Sequence, residues 1–104
     1  MSQVKVKIPV AQTSIWKSKG NYIWVVKDRH LIDFLLPYVG KQVEIEIAGI
    51  SIRTRLIRLT QKGTFYIGSF LPRRLAPTWE KLRQKSNEYN AVIVITERND
   101  GEQA

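Results

Sequence analysis

The side chains best equipped for chemistry in this sequence are cations set among aromatic rings. In IWKSKGNY, residues 15–22, Lys17 and Lys19 flank a glycine turn, with Trp16 and Tyr22 beside them. Ammonium groups so placed can pair with phosphates while a flat ring stacks on an unpaired base, a contact of about 1–3 kcal/mol per base. The competing reading has Trp16 filling one end of the fold and the lysines solvating a loop. In YIGSFLPRRL, residues 66–75, Arg73 and Arg74 fall where a strand-like run meets a helix-like one. Basic side chains at a helix N-terminus oppose its dipole, at a cost of about 0.3–1 kcal/mol. Guanidiniums that fork onto phosphate or guanine would justify the placement. The structural alternative is an ion pair to Glu97 or Asp100.

The segment ISIRTRLIRL, residues 50–59, adds a third group of cations. A two-residue reversal at Ala48-Gly49 sets Glu46 opposite Ser51, Glu44 opposite Arg53 and Gln42 opposite Arg55. Arg53 is then partly neutralised by its cross-strand neighbour, while Arg55 keeps its charge available. Arg58 has the opposite parity, so a bulge or a strand end must turn it outward. Catalysis is weakly supported by comparison. His30 is the only histidine and there is no cysteine, so thiolate chemistry, disulfides and zinc ribbons are excluded. The carboxylates are scattered, and no GxxxxGK[ST] phosphate loop occurs. The chain reads as a non-enzyme with no catalytic residues, no metal ligands and no cofactor.

Charge is the strongest global signal, with 17 Lys and Arg against 9 Asp and Glu, a net of +8. Residues 1–50 carry seven bases and four acids, residues 51–85 nine bases and only Glu80, and residues 86–104 Arg98 against four acids. The middle of the chain is therefore the basic part. Such a field attracts polyanions over a Debye length of about 8 Å at physiological salt. No apolar run approaches a membrane span, and the chain opens on no signal peptide, so the expectation is an intracellular, cytoplasmic protein without a membrane partner. The weight of Arg, Lys, Ile and Val against Gln and Cys is a composition seen in thermophile proteins.

The elements that must position these cations follow from periodicity. VKVKIPV, residues 4–10, alternates as a half-buried strand, and residues 11–21 read as a polar loop. YIWVV, residues 22–26, is apolar on both faces and so should be covered on both. Asp28 can cap a short helix that Pro37 and Gly40 end. Residues 42–47 and 50–59 read as strands around the Ala48-Gly49 turn, followed by a turn at TQKG and a strand over 65–70. A helix in two pieces comes next, with Pro77 in the first turn of the longer one, then a fully apolar and central strand over 91–96. The polar end, residues 98–104, reads as a frayed tail.

Strand, strand, helix, strand thus occurs twice. At an offset of 44 residues Tyr22 meets Tyr66, Ile23 meets Ile67, Arg29 meets Arg73 and Leu31 meets Leu75. Neither repeat (about residues 4–47 and 50–96) can bury its own sheet, so the two should close on each other. The expectation is one mainly β domain over residues 1–97: a small pseudo-twofold β-barrel of two β-β-α-β repeats with two short helices. KGNYIWVVKDRHLIDFLLPYVGKQVEIEI and KGTFYIGSFLPRRLAPTWEKL each resemble the AbrB-type swapped-hairpin unit, a glycine-led strand followed by a short basic helix. The resemblance spans about residues 16–96 and implies a barrel holding both units in one chain; the double-psi, or cradle-loop, barrels share that pseudo-symmetry.

The function expected is nucleic-acid binding, with DNA favoured and RNA possible, as a transcription regulator or chromatin-associated protein. Its contact set would be Arg55, Lys62, Arg73 and Arg74, with Lys17, Lys19, Lys27 and Arg29 across the pseudo-twofold, and Trp16 as a stacking ring. The alternative is a protein–protein assembly module, antitoxin-like or virion-associated, using the apolar surface of HLIDFLLPYV; a homodimer is compatible with either reading.

Overall fold

Residues that alternate apolar and polar at period two become strands here because each can bury one face. The computed structural model describes residues 2–99. In chain order these form β1 (Ser2–Ser18), β2 (Asn21–Val26), α1 (Arg29–Leu35), a 3-10 turn (Leu36–Tyr38), β3 (Gln42–Ile47), β4 (Ile50–Arg55) and β5 (Ile57–Gln61). Then come β6 (Thr64–Phe70), a second 3-10 turn (Arg73–Leu75), α2 (Ala76–Lys85) and β7 (Tyr89–Asn99). No helix among the described residues is long and apolar enough to cross a membrane.

The strands form one seven-stranded sheet in the order β4-β3-β7-β1-β2-β6-β5, antiparallel throughout. Its two edges, β4 and β5, are consecutive in the chain and separated by Leu56 alone. The sheet must therefore curl until its edges meet. Leu56 is fully buried at that corner and is held by Gly40 N donating to its carbonyl at 2.8 Å and its own N–H donating to Lys41 O at 3.1 Å. Ser69 Oγ donates to Arg55 O at 3.0 Å and Thr54 Oγ1 to Phe70 O at 3.1 Å, tying β4 to β6. The product is a small mainly β barrel with two short helices, its core running from Val10 and Trp24 through Ile45, Ile67 and Ile93.

β1 makes the same transition on the other side. Its first part pairs with β7 and its last five residues with β2. The change follows a bulge between Val10 and Thr13, where Gln12 takes a φ of 61°. Residues 11–18 are thus strand rather than the expected loop. Polar Gln12, Thr13 and Ser14 disguise them, yet Thr13 and Ser14 are buried and donate to the carbonyls of Tyr89 and Asn87. The bent β1 corresponds to the bent pair β4–β5: β1 with β7 repeats as β4 with β3, and β1 with β2 repeats as β5 with β6.

The repeat register corrects the sequence alignment by one residue in the strands. The two-residue turns Lys19-Gly20 and Lys62-Gly63 lie 43 positions apart, whereas Asp28 and Pro72, which precede the helical segments, lie 44 apart. β6 carries one residue more than β2. A one-residue slip moves a side chain to the opposite face, so Tyr22 corresponds to Phe65 rather than to Tyr66. The expected cross-strand pairs Glu46–Ser51, Glu44–Arg53 and Gln42–Arg55 are all present. β7 lies centrally between β1 and β3 and runs on to Asn99, so residues 98 and 99 belong to it; the rest of the expected tail, residues 100–104, lies outside the described residues.

Asp28 caps α1 by accepting from His30 N at 2.9 Å and Leu31 N at 3.4 Å. Pro77 sits in the first turn of α2, and Trp79, fully buried, donates Nε1–H to Pro72 O at 2.9 Å. Trp24 is equally buried, but its indole N–H has no partner among the described residues. An orphaned buried donor is destabilising, while a made hydrogen bond contributes about 0.5–1.5 kcal/mol. Trp79→Phe is therefore expected to cost more stability than Trp24→Phe by about that margin, measured as denaturant midpoints at equal m-value. Gly68 sets a second limit. A Cβ there would clash with the Trp24 carbonyl oxygen and lie 3.0 Å from Leu59 Cδ1. Gly68→Ala should destabilise the barrel by about 1–3 kcal/mol, seen as a lowered melting temperature.

Candidate nucleic-acid interface

Basic charge binds a polyanion only where carboxylates have not already claimed it. Among the described residues three cations form ion pairs: Lys17 with Glu80 at 3.9 Å, Lys27 with Glu88 at 3.4 Å and Arg83 with Glu80 at 3.1 Å. Other guanidiniums rest on uncharged oxygens. Arg73 places Nε and Nη2 on Asn21 Oδ1 at 3.1 and 2.9 Å, Arg55 reaches Gly40 O at 2.8 Å, and Arg29 reaches Phe65 O at 2.7 Å. Asp28, the neighbour of Arg29 in the chain, serves as the helix cap and forms no ion pair with it. Arg53 stands opposite Glu44 in register without approaching to ion-pair distance. Glu97 and Asp100, the alternative partners for Arg73 and Arg74, lie among residues whose side chains are not described.

Lys19 and Lys62 occupy the first positions of the β1–β2 and β5–β6 turns with φ of 52° and 51°. The two-residue turn needs positive φ at both central positions, which Asn or Gly adopts more readily than Lys. Both hairpins nonetheless present an exposed lysine at the tip. Arg74 is likewise exposed, in the 3-10 turn ahead of α2 rather than at the start of the α-helix itself.

The two halves differ sharply around the equivalent rings Tyr22 and Phe65. Beside Tyr22, Glu80 accepts from Tyr22 Oη at 2.6 Å, from Arg83 Nη1 at 3.1 Å and from Gln84 Nε2 at 3.0 Å. Lys17 lies 5.5 Å above the Tyr22 ring. The Tyr22 hydroxyl, then Gln84, Arg83 and Lys17, hold the Glu80 carboxyl below its ordinary value, against partial desolvation. Phe65 has no hydroxyl. Arg58 lies 4.5 Å from its ring centre and Arg29 5.5 Å, with Arg29 also 5.0 Å from the Tyr66 ring. Counted from Asp28 and Pro72, the residue matching Glu80 is Leu36, so this half lacks the carboxylate. Trp16 closes the arrangement, meeting Tyr66 edge-on at 5.4 Å. It also walls a cleft of about 640 Å³ shared with Lys17, Ile23, Leu59, Gln61 and Arg83.

Of the residues expected to bind, the structure thus gathers Trp16 and Arg29 into one cluster, with Lys62 at the tip of the hairpin that carries Phe65. Lys17 and Arg73 lie in the other half, beside Glu80 and Asn21; Lys27 is held by Glu88, and Arg55 is turned toward the α1–β3 loop. Arg58, Phe65 and Tyr66 were not anticipated as site residues, although the anomalous parity of Arg58 was the available signal. No group of His, Asp and Glu that could hold a metal ion occurs among the described residues. Comparisons with protein families, curated proteins and solved structures gave no match.

Glu80 generates a pH dependence. Its folded pKa lies below the ordinary value of 4.5, so its contribution is complete above the unfolded pKa and is lost as pH falls through the folded one. Glu80→Gln should lower the melting temperature at pH 7 and flatten the fall in stability below about pH 4.5 relative to the parent, as thermal unfolding across that range would record.

Proposed function

We propose that the protein binds nucleic acid, DNA in preference, and acts by binding rather than by catalysis, as a transcription regulator or chromatin-associated protein. The observation that carries this reading is the unspent charge: a net of +8 of which only Lys17, Lys27 and Arg83 are in ion pairs among the described residues. Lysines kept at two hairpin tips in left-handed backbone support it, because strain retained at an exposed cation favours a role outside the fold. The likeness of residues 16–96 to tandem swapped-hairpin units of the AbrB type supports the same reading. RNA satisfies the same charges and is the alternative polymer.

A second reading is favoured by one observation. Phe34 is 53% exposed and Leu36 38% exposed on and just after α1, and Phe70 is 51% exposed at the end of β6. An assembly module would use such side chains as its interface, and size-exclusion chromatography at micromolar concentration would show a stable oligomer.

Nucleic-acid binding should be sequence-tolerant and steeply salt-dependent. Contacts to about four to six phosphates give a log–log salt slope of about −3.5 to −5.5 on duplex DNA. Replacing Lys62 and Arg74 together by alanine should flatten that slope by about 2 without changing the melting temperature. Absence of binding to duplex DNA, single-stranded DNA and RNA at about 50 mM salt, the low end of the range over which such contacts weaken, would favour the assembly reading.

A further inference from the structure

The two halves of the barrel present the same scaffold in two electrostatic states, and the closed one indicates what the open one is built to receive. Around Tyr22 an anion is already present: the Glu80 carboxylate touches the hydroxyl and draws in Lys17 and Arg83. Around Phe65 two guanidiniums, Arg29 and Arg58, flank the ring with no carboxylate at ion-pair distance among the described residues. Both arginines are exposed, so their remaining N–H donors are free to fork onto an anion.

What surrounds the open site narrows the anion. Arg29 lies over both Phe65 and its neighbour Tyr66, Tyr66 meets the partly buried Trp16 edge-on, and Trp16 in turn walls the cleft. A duplex offers phosphates but keeps its base faces stacked and inaccessible to such rings. An unpaired strand offers phosphates and free base faces together, and stacking on aromatic side chains is tolerant of sequence.

Resting on the nucleic-acid reading above, we infer that the Arg29–Phe65–Arg58 cluster and the Trp16 cleft form a binding site for single-stranded nucleic acid. The guanidiniums take the phosphate, and Trp16 takes the face of an unpaired base. The corresponding site around Tyr22 is closed by Glu80, so each chain has one such site.

The protein carries its own reporter. Trp24 and Trp79 are 0% exposed, whereas Trp16 is partly exposed, so quenching of tryptophan emission by a ligand reports on Trp16. The experiment titrates the full chain with oligothymidylate, oligouridylate and a duplex of equal length, following tryptophan emission and fluorescence polarisation. Both single strands should quench the emission and bind at least about fivefold tighter than the duplex, the effect of one stacked base. Trp16→Leu should abolish the quenching and reduce that preference. The double variant Arg29→Ala with Arg58→Ala should flatten the single-strand salt slope by about 1.4; Arg58→Ala alone, which removes no side-chain hydrogen bond among the described residues, serves if the double variant melts early. Binding of duplex and single strand with equal affinity and no quenching overturns this inference and leaves nucleic-acid binding standing, as does tight single-strand binding unaffected by Arg58→Ala. Failure of the parent to bind any of the three polymers removes both.

Discussion

Everything in this barrel depends on one strand being shared between two neighbours at each of two corners. A sheet of short strands left open would expose unpaired edge groups. Here the corner is made by Leu56, a single residue between β4 and β5, whose backbone bonds turn aside to Gly40 and Lys41 while its side chain enters the core. On the opposite side the bulge around Gln12 performs the same change of partner, and Thr13 pins the bent chain to the Tyr89 carbonyl. Past Leu56 the chain takes β6 as its partner, and Arg58 stands opposite Ile67 with its guanidinium 4.5 Å from the Phe65 ring centre. Closure of the sheet and placement of a candidate binding side chain are thus one geometric event.

The pseudo-symmetry matters most where it fails. Tyr22 and Phe65 occupy matching positions in the two hairpins, and each has a cation over its ring. The longer α2 brings Glu80 to the first, whereas the position that matches it by count in the other half, Leu36, lies in the 3-10 turn after α1 and carries no charge. A single acid therefore separates an internally neutralised site from one whose charge faces solvent. The same acid couples α2 to the barrel wall through Tyr22 and Lys17, so that one half has gained cohesion where the other has kept its charge open.

Much of the architecture was legible because local signals agreed with one another. The Ala48-Gly49 turn fixed the β3–β4 register, Asp28 announced α1, and Pro77 marked the start of α2. Residues 11–18 were not legible as a strand, since Thr13 and Ser14 are polar and are buried only because distant carbonyls at Tyr89 and Asn87 receive them. The offset of Tyr22 to Tyr66 was misleading for a related reason: the extra residue of β6 lies after the turn, and only strand pairing reveals it. For the candidate site, Trp16 and Arg29 could be singled out by type, but their meeting with Phe65, Tyr66 and Arg58 depends on contacts across 36 to 50 positions of chain. Sequence spacing carries no record of those.

The position of β7 has a consequence for how the chain reaches this state. β7 is a central strand, inserted between β1 and β3 and pairing with residues more than eighty positions earlier along most of its length. During synthesis the groups of β1 and β3 that it will cover emerge first and remain without their partner until β7 itself has been made. Contacts of such long sequence separation are slow to form, and an intermediate lacking β7 presents two adjoining apolar edges around Ile8 and Ile45. Productive folding of this barrel is therefore a race between arrival of β7 and capture of that gap by another chain.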